Sequence, residues 1–293
     1  MNETHLINVA TCTRCELCVT ICPAAIITKE ADGVIAFRSD RQDICICCGH
    51  CMAMCETNSI KIDGLSQETN FRTLPAEVIG CGQLMDFLLT RRSVRVFKDK
   101  PVPEDVVLKI LDAIATAPFG VSPGNIEIAV VTDKALIEQA VPYFSKMYVQ
   151  LGMILKIPLL GWMIRRSMKK EDRNTVMNFI VPHLAKGLYT DTGKVDDIAR
   201  NAPAMFIFHA PKGAEEHTVD GHICLTYAML AAHSLGLGAT AIGLIGPVIN
   251  QSKPLRAMFR IPEENEVVET MILGYPKLHF KKAITRPRKK LIF

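Results

Sequence analysis

The spacing of apolar residues is most regular after about residue 83, where it predicts helices alternating with strands. Between Pro103 and Ala117, large apolar side chains recur three or four positions apart, which is typical of a helix that buries one face. The residues concerned are Val106, Val107, Ile110, Leu111 and Ile114. A second helix, long and rich in alanine, is predicted over Asp220–Leu235, and its apolar composition predicts that it is buried.

Short apolar runs between these helices predict strands. They are Ile126–Val131, Ala204–His209, Ala239–Leu244 and Val267–Gly274. Strands interleaved with helices indicate an α+β domain, with a central sheet flanked by helices, over residues 83–293. Residues 1–65 are rich in cysteine and form a separate small domain, and residues 66–82, with Pro75, Gly80 and Gly82, are predicted to be a linker.

Composition narrows the function classes. The net charge of +4, with 22% charged residues, is too small to indicate nucleic-acid binding. Residues 1–10 lack the pattern of a signal peptide. The most apolar stretch, Val149–Ile164, is interrupted by Lys156 and Pro158 and is shorter than the roughly 20 residues that a membrane span needs. We therefore expect a cytoplasmic protein without a transmembrane span.

The cysteines are concentrated in one part of the chain. Nine of the eleven lie from Cys12 to Cys55, and eight of these form two runs with the same spacing of two, two and three intervening residues. The first run is Cys12, Cys15, Cys18 and Cys22; the second is Cys45, Cys48, Cys51 and Cys55. Clustered cysteines without a secretory signal indicate metal binding rather than disulfides.

This spacing resembles that of bacterial two-cluster ferredoxins, in which the fourth cysteine of each run reaches the other [4Fe–4S] cluster. The resemblance covers residues 1–65 and implies two ligand sets. Cluster one would take Cys12, Cys15, Cys18 and Cys55, and cluster two would take Cys45, Cys48, Cys51 and Cys22. Cys47, between ligand positions, is expected to be a packing residue. Zinc is the alternative, because paired cysteines also bind that ion.

A basic cluster opens the large domain. Arg91, Arg92, Ser93 and Arg95 place three guanidinium groups and a hydroxyl within five residues. Guanidinium groups match the geometry of phosphate oxygens, so the cluster is a candidate phosphate site. Basic runs are also common on solvated surfaces, so the cluster alone does not decide the matter.

The segments that follow, taken in order, resemble the nitroreductase family of FMN oxidoreductases. They are Ala117–Gly124, the helix Asp220–Leu235, the segment Gly236–Leu244, the stretch Leu273–Pro276 and the terminal Arg286–Arg288. The resemblance covers residues 83–293. It implies a nitroreductase-like, FMN-dependent fold behind a ferredoxin-like two-cluster domain.

The resemblance also implies an FMN site. Arg91, Arg92, Ser93 and Arg95, with Arg286 and Arg288, would hold the phosphate and ribityl chain; the loop Pro118, Phe119 and Gly120 would supply backbone contacts; and Ile242, Gly243 and Leu244 would lie against the flavin ring. The loop departs from the family pattern, since Phe119, Ser122 and Gly124 replace polar residues. No catalytic residue is predicted, because the flavin itself supplies the hydride.

Three other features of the sequence bear on the site. The segment Gly236–Ala241 fits the loose glycine pattern of a dinucleotide fold, but a helix precedes it and a strand follows, which is the wrong order. His209, His222 and His233 lie in apolar elements and are expected to be core histidines. Residues 143–184 are rich in Met and Ile with basic pairs nearby, and are expected to be a lid in which Trp162 and Phe179 shape an apolar substrate pocket, although membrane-surface binding is an alternative.

Together these features predict an iron–sulfur flavoprotein. Clusters move single electrons and FMN can pass on a pair, so electrons would enter through the clusters and leave to a nitro, quinone or enone-like acceptor. The donor would be ferredoxin or NAD(P)H, and the family implies a homodimer. Three alternatives remain open: an electron-transfer module serving a protein partner, specialised flavin chemistry such as reductive dehalogenation, and a zinc-binding interaction protein.

Overall fold

In a computed structural model of the chain, residues 5–76, 78–120, 124–189 and 196–284 are described, apart from the side chain of Glu171. The chain divides into two compact units. One unit contains the described residues up to Gly80 together with those of 119–124, and the other contains 81–118 and the described residues from 125 onward.

The first unit is built from short elements. They are β1 (His5–Ile7), α1 (Leu17–Ile21), β2 (Ile27–Lys29), β3 (Ile35–Phe37), a 3₁₀ turn (Gln42–Ile44), α2 (His50–Ala53), β4 (Ile60–Ile62) and α3 (Gln67–Asn70). Strands β1 and β4 pair antiparallel, as do β2 and β3. In β4, Ile60 and Ile62 are buried and Lys61 is exposed, because successive side chains of a strand point to opposite faces. The core contains Ile26, Ile27, Ile35 and Met52 with two of the cysteines, Cys18 and Cys51.

The second unit has a four-stranded antiparallel sheet in the order β5-β6-β8-β7. Its strands are β5 (Glu127–Val131), β6 (Ala204–Pro211), β7 (Gly238–Ala241) and β8 (Asn265–Gly274). Its helices are α4 (Cys81–Thr90), α5 (Glu104–Ile114), α6 (Lys134–Ile154), α7 (Pro158–Ser167), α8 (Lys170–Thr175), α9 (Val181–Ala185), α10 (His217–Ser234), α11 (Gly246–Gln251) and α12 (Lys253–Phe259).

Two hydrophobic cores cover the two faces of this sheet. On one face, α5 and α10 pack with Phe206, Phe208 and Met271. On the other face, α6, α11 and α12 pack with Met205, Ile207 and Ile272. The alternation of these residues along β6 and β8 follows the two-residue period of a strand, and it explains why the segments 204–208 and 271–273 are continuously apolar.

The predicted elements are found, with shifted ends. Helix α5 buries Val107, Ile110 and Ile114, as the spacing predicts. The prediction for α10 was too broad, because the helix buries one stripe that includes Leu225, Ala228 and Ala232 and leaves other residues exposed. Within the described residues, no single helix is long and apolar enough to cross a bilayer, and one pair, α6 and α7, passes that test only together and is bent by 115°.

Candidate cofactor sites

The first set of predicted cluster ligands surrounds one cavity in the first unit. Cys12 and Cys15 lie in the loop after β1, Cys18 lies on α1, and Cys55 follows α2. All four line one small cavity. The loop of the first run thus meets the last cysteine of the second run, which is the predicted crossover.

The second set surrounds a separate cavity. Cys45 and Cys48 lie in the loop between the 3₁₀ turn and α2, Cys51 lies on α2, and Cys22 follows α1. These four line a second small cavity, equal in size to the first. Cavities of equal size with matching thiol sets fit two occupants of the same kind.

The backbone of the two cysteine loops repeats residue by residue. Arg14, Glu16 and Ala25 have left-handed φ values of +58°, +64° and +49°, and 33 positions later Cys47, Gly49 and Asn58 have +50°, +73° and +51°. Non-glycine residues rarely adopt this conformation, and those that do mark positions that the fold requires. Cys47 is therefore the counterpart of Arg14 rather than of a cysteine, although its side chain also lines the second cavity.

Burial opposes ionisation of several of these thiols. Burial raises the pKa of Cys18 and of Cys45, and it raises the pKa of Cys51 to about 12. Burial also raises the pKa of Cys55, but hydrogen bonds with the Thr57 side chain and from the Ser59 N–H, the latter at 3.2 Å, outweigh it and leave the pKa lowered. Thiolates are the metal-binding form, so a positively charged iron centre has to offset this cost of burial.

The thiols of each set surround a cavity and do not converge on the position of a single metal ion. Among the residues that the structure describes, no group of three or more His, Cys, Asp or Glu side chains is placed to hold a single metal ion. Each thiol set instead lines its own cavity. This arrangement fits an inorganic cube, whose four irons keep the sulfurs further apart than one tetrahedral zinc ion would.

In the second unit, the basic segment lies along the edge of the sheet. Ser93 forms a parallel bridge with Ala239 of β7, and the Val94 N–H donates to the Ala239 carbonyl at 3.2 Å. A Cβ atom on Gly238 would lie 2.4 Å from the Val94 side chain, so only glycine lets the segment approach this closely. That packing role, with α10 before Gly238 and β7 starting at it, confirms the rejection of a dinucleotide fingerprint.

One arginine of this segment has an unsatisfied donor. The Nε atom of Arg92 is buried and has no hydrogen-bond partner, and the guanidinium carbon lies 6.0 Å from the centre of the Phe280 ring. A buried donor without a partner is costly, and a phosphate oxygen is an acceptor of the right charge. The Arg92 environment therefore fits an FMN phosphate. Arg95 is exposed, and Arg91 is half-buried.

The segment predicted to face the flavin ring is held on two sides. The Ile242 N–H donates to the Thr270 carbonyl at 2.9 Å, and the Thr270 hydroxyl donates to the Ile242 carbonyl at 2.6 Å. On the other side, the Tyr148 hydroxyl donates to the Leu244 carbonyl at 2.6 Å. Gly243, between these anchors, is exposed. A short exposed glycine backbone held in this way suits close approach of a flat ring.

A large apolar cavity adjoins Gly243 and Leu244. Its volume is about 820 Å³, within the usual range for small-molecule sites. Its walls come from α6, α7, α8, the helix that follows α8 and α11, and they include Met147, Tyr148, Met168 and Phe179. Residues Val176–Ile180 form a π-helical segment in this wall, a distortion that is frequent at functional sites. Phe179 therefore lies where the lid prediction placed it, whereas Trp162 does not line the cavity and its side chain is 54% exposed.

Other predicted site residues are not gathered here. Pro118 is exposed and is the last residue of the range 81–118, which belongs to the second unit. Phe119 and Gly120 belong to the first unit. Arg286 and Arg288, like Ser122, lie outside the described residues. The roles of these residues in FMN binding remain predictions.

The three histidines differ from one another. His209 is 4% exposed and shares a hydrogen bond of 2.8 Å with Asn265, as expected for a core histidine. His233 is half-buried against Phe87 and bonds the Thr90 hydroxyl at 2.9 Å. The core prediction for His222 was wrong, because its side chain is 54% exposed on the open side of α10, 3.7 Å from Glu269.

The sequence did not predict the residues that support the backbone of the candidate flavin site. Tyr148 and Thr270 belong to no motif, and Gly238 stands out only as part of a glycine pattern. The available signal was Tyr148, a tyrosine between two apolar residues, since buried tyrosines usually find a hydrogen-bond partner. Its partner Leu244 lies 96 positions away, and this separation hid the contact.

Comparison with known proteins assigns both parts of the chain to families. Residues 88–275 match the nitroreductase family and residues 4–69 match a 4Fe-4S dicluster domain. Because the first match covers more than half of the chain, the chain belongs to the nitroreductase family. It is an iron–sulfur flavoprotein oxidoreductase, as the sequence predicts.

Three individual proteins illustrate the likeness. A Methanothermobacter thermautotrophicus protein, provisionally named NADH dehydrogenase/NAD(P)H nitroreductase, is 26% identical over 66% of this chain and 77% of its own length. Subunit I 2 of the NADH-quinone oxidoreductase of Geobacter metallireducens is 36% identical over 22% of this chain, which spans about half (53%) of that relative. The crystal structure of a Bacteroides fragilis nitroreductase with bound FMN superposes with a TM-score of 0.51 at 18% identity, over 72% of this chain and 99% of that one, and so supports the fold.

Proposed function

We propose that this protein passes single electrons from two [4Fe–4S] clusters to FMN and reduces a small organic acceptor of the nitro, quinone or enone-like kind. The observation that carries the proposal is the sorting of eight cysteines into two separate cavities of equal size. Two clusters supply two one-electron carriers, whereas the reduction of such acceptors takes a pair of electrons. A cofactor that handles both is needed in the same chain.

The proposed ligand sets are the two crossed groups of cysteines. Cys12, Cys15, Cys18 and Cys55 would hold one cluster, and Cys22, Cys45, Cys48 and Cys51 the other. The Ser59 N–H donates to the Cys55 sulfur, and such bonds to ligand sulfurs tune the reduction potential of a cluster.

FMN, when bound, accepts electrons singly and delivers a hydride to the acceptor. Arg92, with Arg91 and Ser93, would bind its phosphate, because these residues bring charge and an unsatisfied donor to the edge of the sheet. Gly243 would let the ring approach the backbone. Tyr148 and Thr270 would keep that backbone in place through their bonds to Leu244 and Ile242.

The apolar cavity supports a small-molecule acceptor over a protein acceptor. It adjoins Gly243 and Leu244 and is large enough for a compound of drug size. Its apolar walls would exclude water from the acceptor and leave the flavin as its donor. Reductive dehalogenation uses the same parts, and an acceptor screen separates the two chemistries.

Donor, assembly and location are part of the same proposal. Ferredoxin is one candidate electron donor, because it could pass single electrons to the clusters. NAD(P)H is the other, because the name of the Methanothermobacter relative includes it. A homodimer fits α4, which buries none of its residues and exposes Leu84, Met85, Leu88 and Leu89. A cytoplasmic location suits reduced thiols.

The test is an anaerobic preparation assayed for iron, sulfide and flavin, followed by reduction with an external ferredoxin. We expect about eight irons and one flavin per chain, and flavin reduction that depends on the clusters. The Cys51→Ser variant should retain flavin but lose ferredoxin-driven turnover. Equal turnover in the variant and the wild type would remove the clusters from the electron path, and a colourless wild type would overturn the proposal entirely.

A further inference from the structure

Helix α7 presents its apolar stripe to the outside of the protein. Leu159, Trp162, Met163 and Arg166 recur at the three- and four-residue spacing that places them on one face. The side chains of Leu159, Trp162 and Met163 are 72%, 54% and 54% exposed. A soluble helix normally buries such a stripe.

The opposite face attaches α7 to the protein. Gly161 is buried, and a Cβ atom there would lie 2.6 Å from the Leu155 carbonyl oxygen. Ile164, three positions later, lines the apolar cavity. The helix is thus held by a narrow inner face, while its large apolar side chains point outward. The end of α6 adds Met153 and the residue before α7 adds Ile157, which are 56% and 50% exposed.

The same segment is strongly basic. Residues 153–170 contain five cationic side chains and no acidic one. They are Lys156, Arg165, Arg166, Lys169 and Lys170. Five positive charges in one segment exceed the net charge of +4 of the whole chain. The guanidinium of Arg166 lies 5.7 Å from the centre of the Trp162 ring, which places a cation beside an amphipathic aromatic side chain.

These properties favour one kind of partner over another. A second copy of the chain, related by a two-fold axis, would bring the basic segment against its own image, because such an interface uses the same patch twice. A bilayer with anionic lipid matches both features, since apolar and aromatic side chains enter the headgroup region and cations bind phosphates. We propose that α7 and its flanking turns dock this protein on the surface of an anionic membrane.

The docking surface and the apolar cavity share a helix. Ile164 and Met168 line the cavity, while Leu159 and Trp162 face outward. If the proposed function holds, an acceptor dissolved in the bilayer, such as a lipophilic quinone, would reach the cavity past this helix. The lid and membrane interpretations of this segment then use opposite faces of the same helix.

Vesicle binding by the full-length, cofactor-loaded protein tests the docking without reference to catalysis. We expect sedimentation with vesicles of phosphatidylcholine and phosphatidylglycerol but not with phosphatidylcholine alone, and weaker binding as salt rises. Trp162 is the single tryptophan of the chain, so its emission should shift to the blue when anionic vesicles are added. This spectral change reports on α7 itself.

Variants localise the binding. Arg166→Gln should weaken vesicle binding about fivefold and Trp162→Ser roughly tenfold. The matched controls are Lys253→Gln and Leu108→Ser, whose side chains are exposed elsewhere on the second unit, and both should bind as the wild type does. Equal binding to neutral vesicles, no binding at low salt, or losses equal to those of the controls would overturn the proposal. So would sedimentation equilibrium showing that Trp162→Ser splits a wild-type oligomer, because the face would then bind a second copy.

Discussion

The two units of this protein assemble cofactor sites in different ways. In the first unit, all eight candidate ligands lie between Cys12 and Cys55, and the loops that carry them repeat the same left-handed backbone positions. In the second unit, the candidate flavin site combines the segment 91–93, the segment 238–244, Thr270 and Tyr148. The cluster sites can therefore be recognised from the spacing of cysteines in the sequence. The flavin site can be recognised mainly from the packing of residues that are distant in the sequence.

The chemistry of the two cofactors explains the difference. An iron–sulfur cube requires one residue type, cysteine, at short intervals, so its ligands leave a pattern in the sequence. A flavin ring is contacted largely by backbone groups, at positions where small residues leave room for it. Many different sequences can provide such positions. Gly238 illustrates the second case, because its contribution is the room that it leaves for Val94.

The largest expected effect concerns the crossover between the cysteine runs. The double variant Cys22→Ser/Cys51→Ser removes two ligands of one proposed set and should retain about half of the iron. The double variant Cys18→Ser/Cys22→Ser removes one ligand of each set and should lose nearly all of it. Iron and sulfide assays of anaerobic preparations measure both.

Cys47→Ser is the matched control for the crossover, because Cys47 lines the second cavity at a position whose counterpart is Arg14. It should keep the full iron content. The reverse result, with about half of the iron kept in Cys18→Ser/Cys22→Ser and nearly all of it lost in Cys22→Ser/Cys51→Ser, would mean that each run serves a single cluster and that the crossed assignment is wrong.

The next effect concerns the phosphate site. Arg92→Gln removes the charged donor whose Nε atom lacks a protein partner, and a charge-assisted hydrogen bond is worth about 1.5–3 kcal/mol. We expect FMN to bind about 10- to 150-fold more weakly, as measured by titrating flavin-free protein and following flavin fluorescence. Arg260→Gln, an exposed arginine of the same unit, should leave the affinity unchanged. An unchanged affinity of the Arg92→Gln variant for FMN would mean that Arg92 does not bind the phosphate.

A smaller effect tests the fit between the basic segment and the sheet. Gly238→Ala would place a methyl group against Val94 and should lower the free energy of unfolding by about 1–3 kcal/mol. Val94→Ala in the same chain should restore part of the loss, because it removes the opposing atoms. Urea unfolding followed by circular dichroism measures this, with Gly82→Ala as the control, since no atom lies within 4 Å of a Cβ there. A Gly238→Ala protein as stable as the control would contradict the packing role.

The smallest effect is a dependence of stability on pH. Burial, together with the charge of Arg256, lowers the pKa of His209 below its ordinary value of 6.5, although Glu127 opposes the shift. Just below pH 6.5 the unfolded chain then binds a proton that the folded chain does not, so this residue makes stability fall as the pH falls through that range. His209→Gln should flatten the curve of melting temperature between pH 5 and 6.5. An equally steep curve in the variant would assign the dependence to other groups.

Much of the architecture followed from the sequence, because it depends on short-range periodicity. The apolar spacing of α5 and the runs of β5, β6 and β8 were sufficient to place those elements within a few residues. The width of the buried stripe on α10 was not, since composition alone does not say which side of an apolar helix meets the protein. His222 was mispredicted for the same reason, because it belongs to an apolar helix but its side chain is exposed.

By itself, the sequence determined the two cysteine runs and the order of the two units, because both depend on residue type at short separation, and it implied the flavin through the resemblance of several segments taken in order. Only the tertiary structure decided which side chains support the flavin segment, where the apolar cavity opens and that the stripe of α7 faces outward. Those features depend on contacts such as that between Tyr148 and Leu244, 96 positions apart. Such contacts arise when the whole chain packs, and the pattern of neighbouring residues does not encode them.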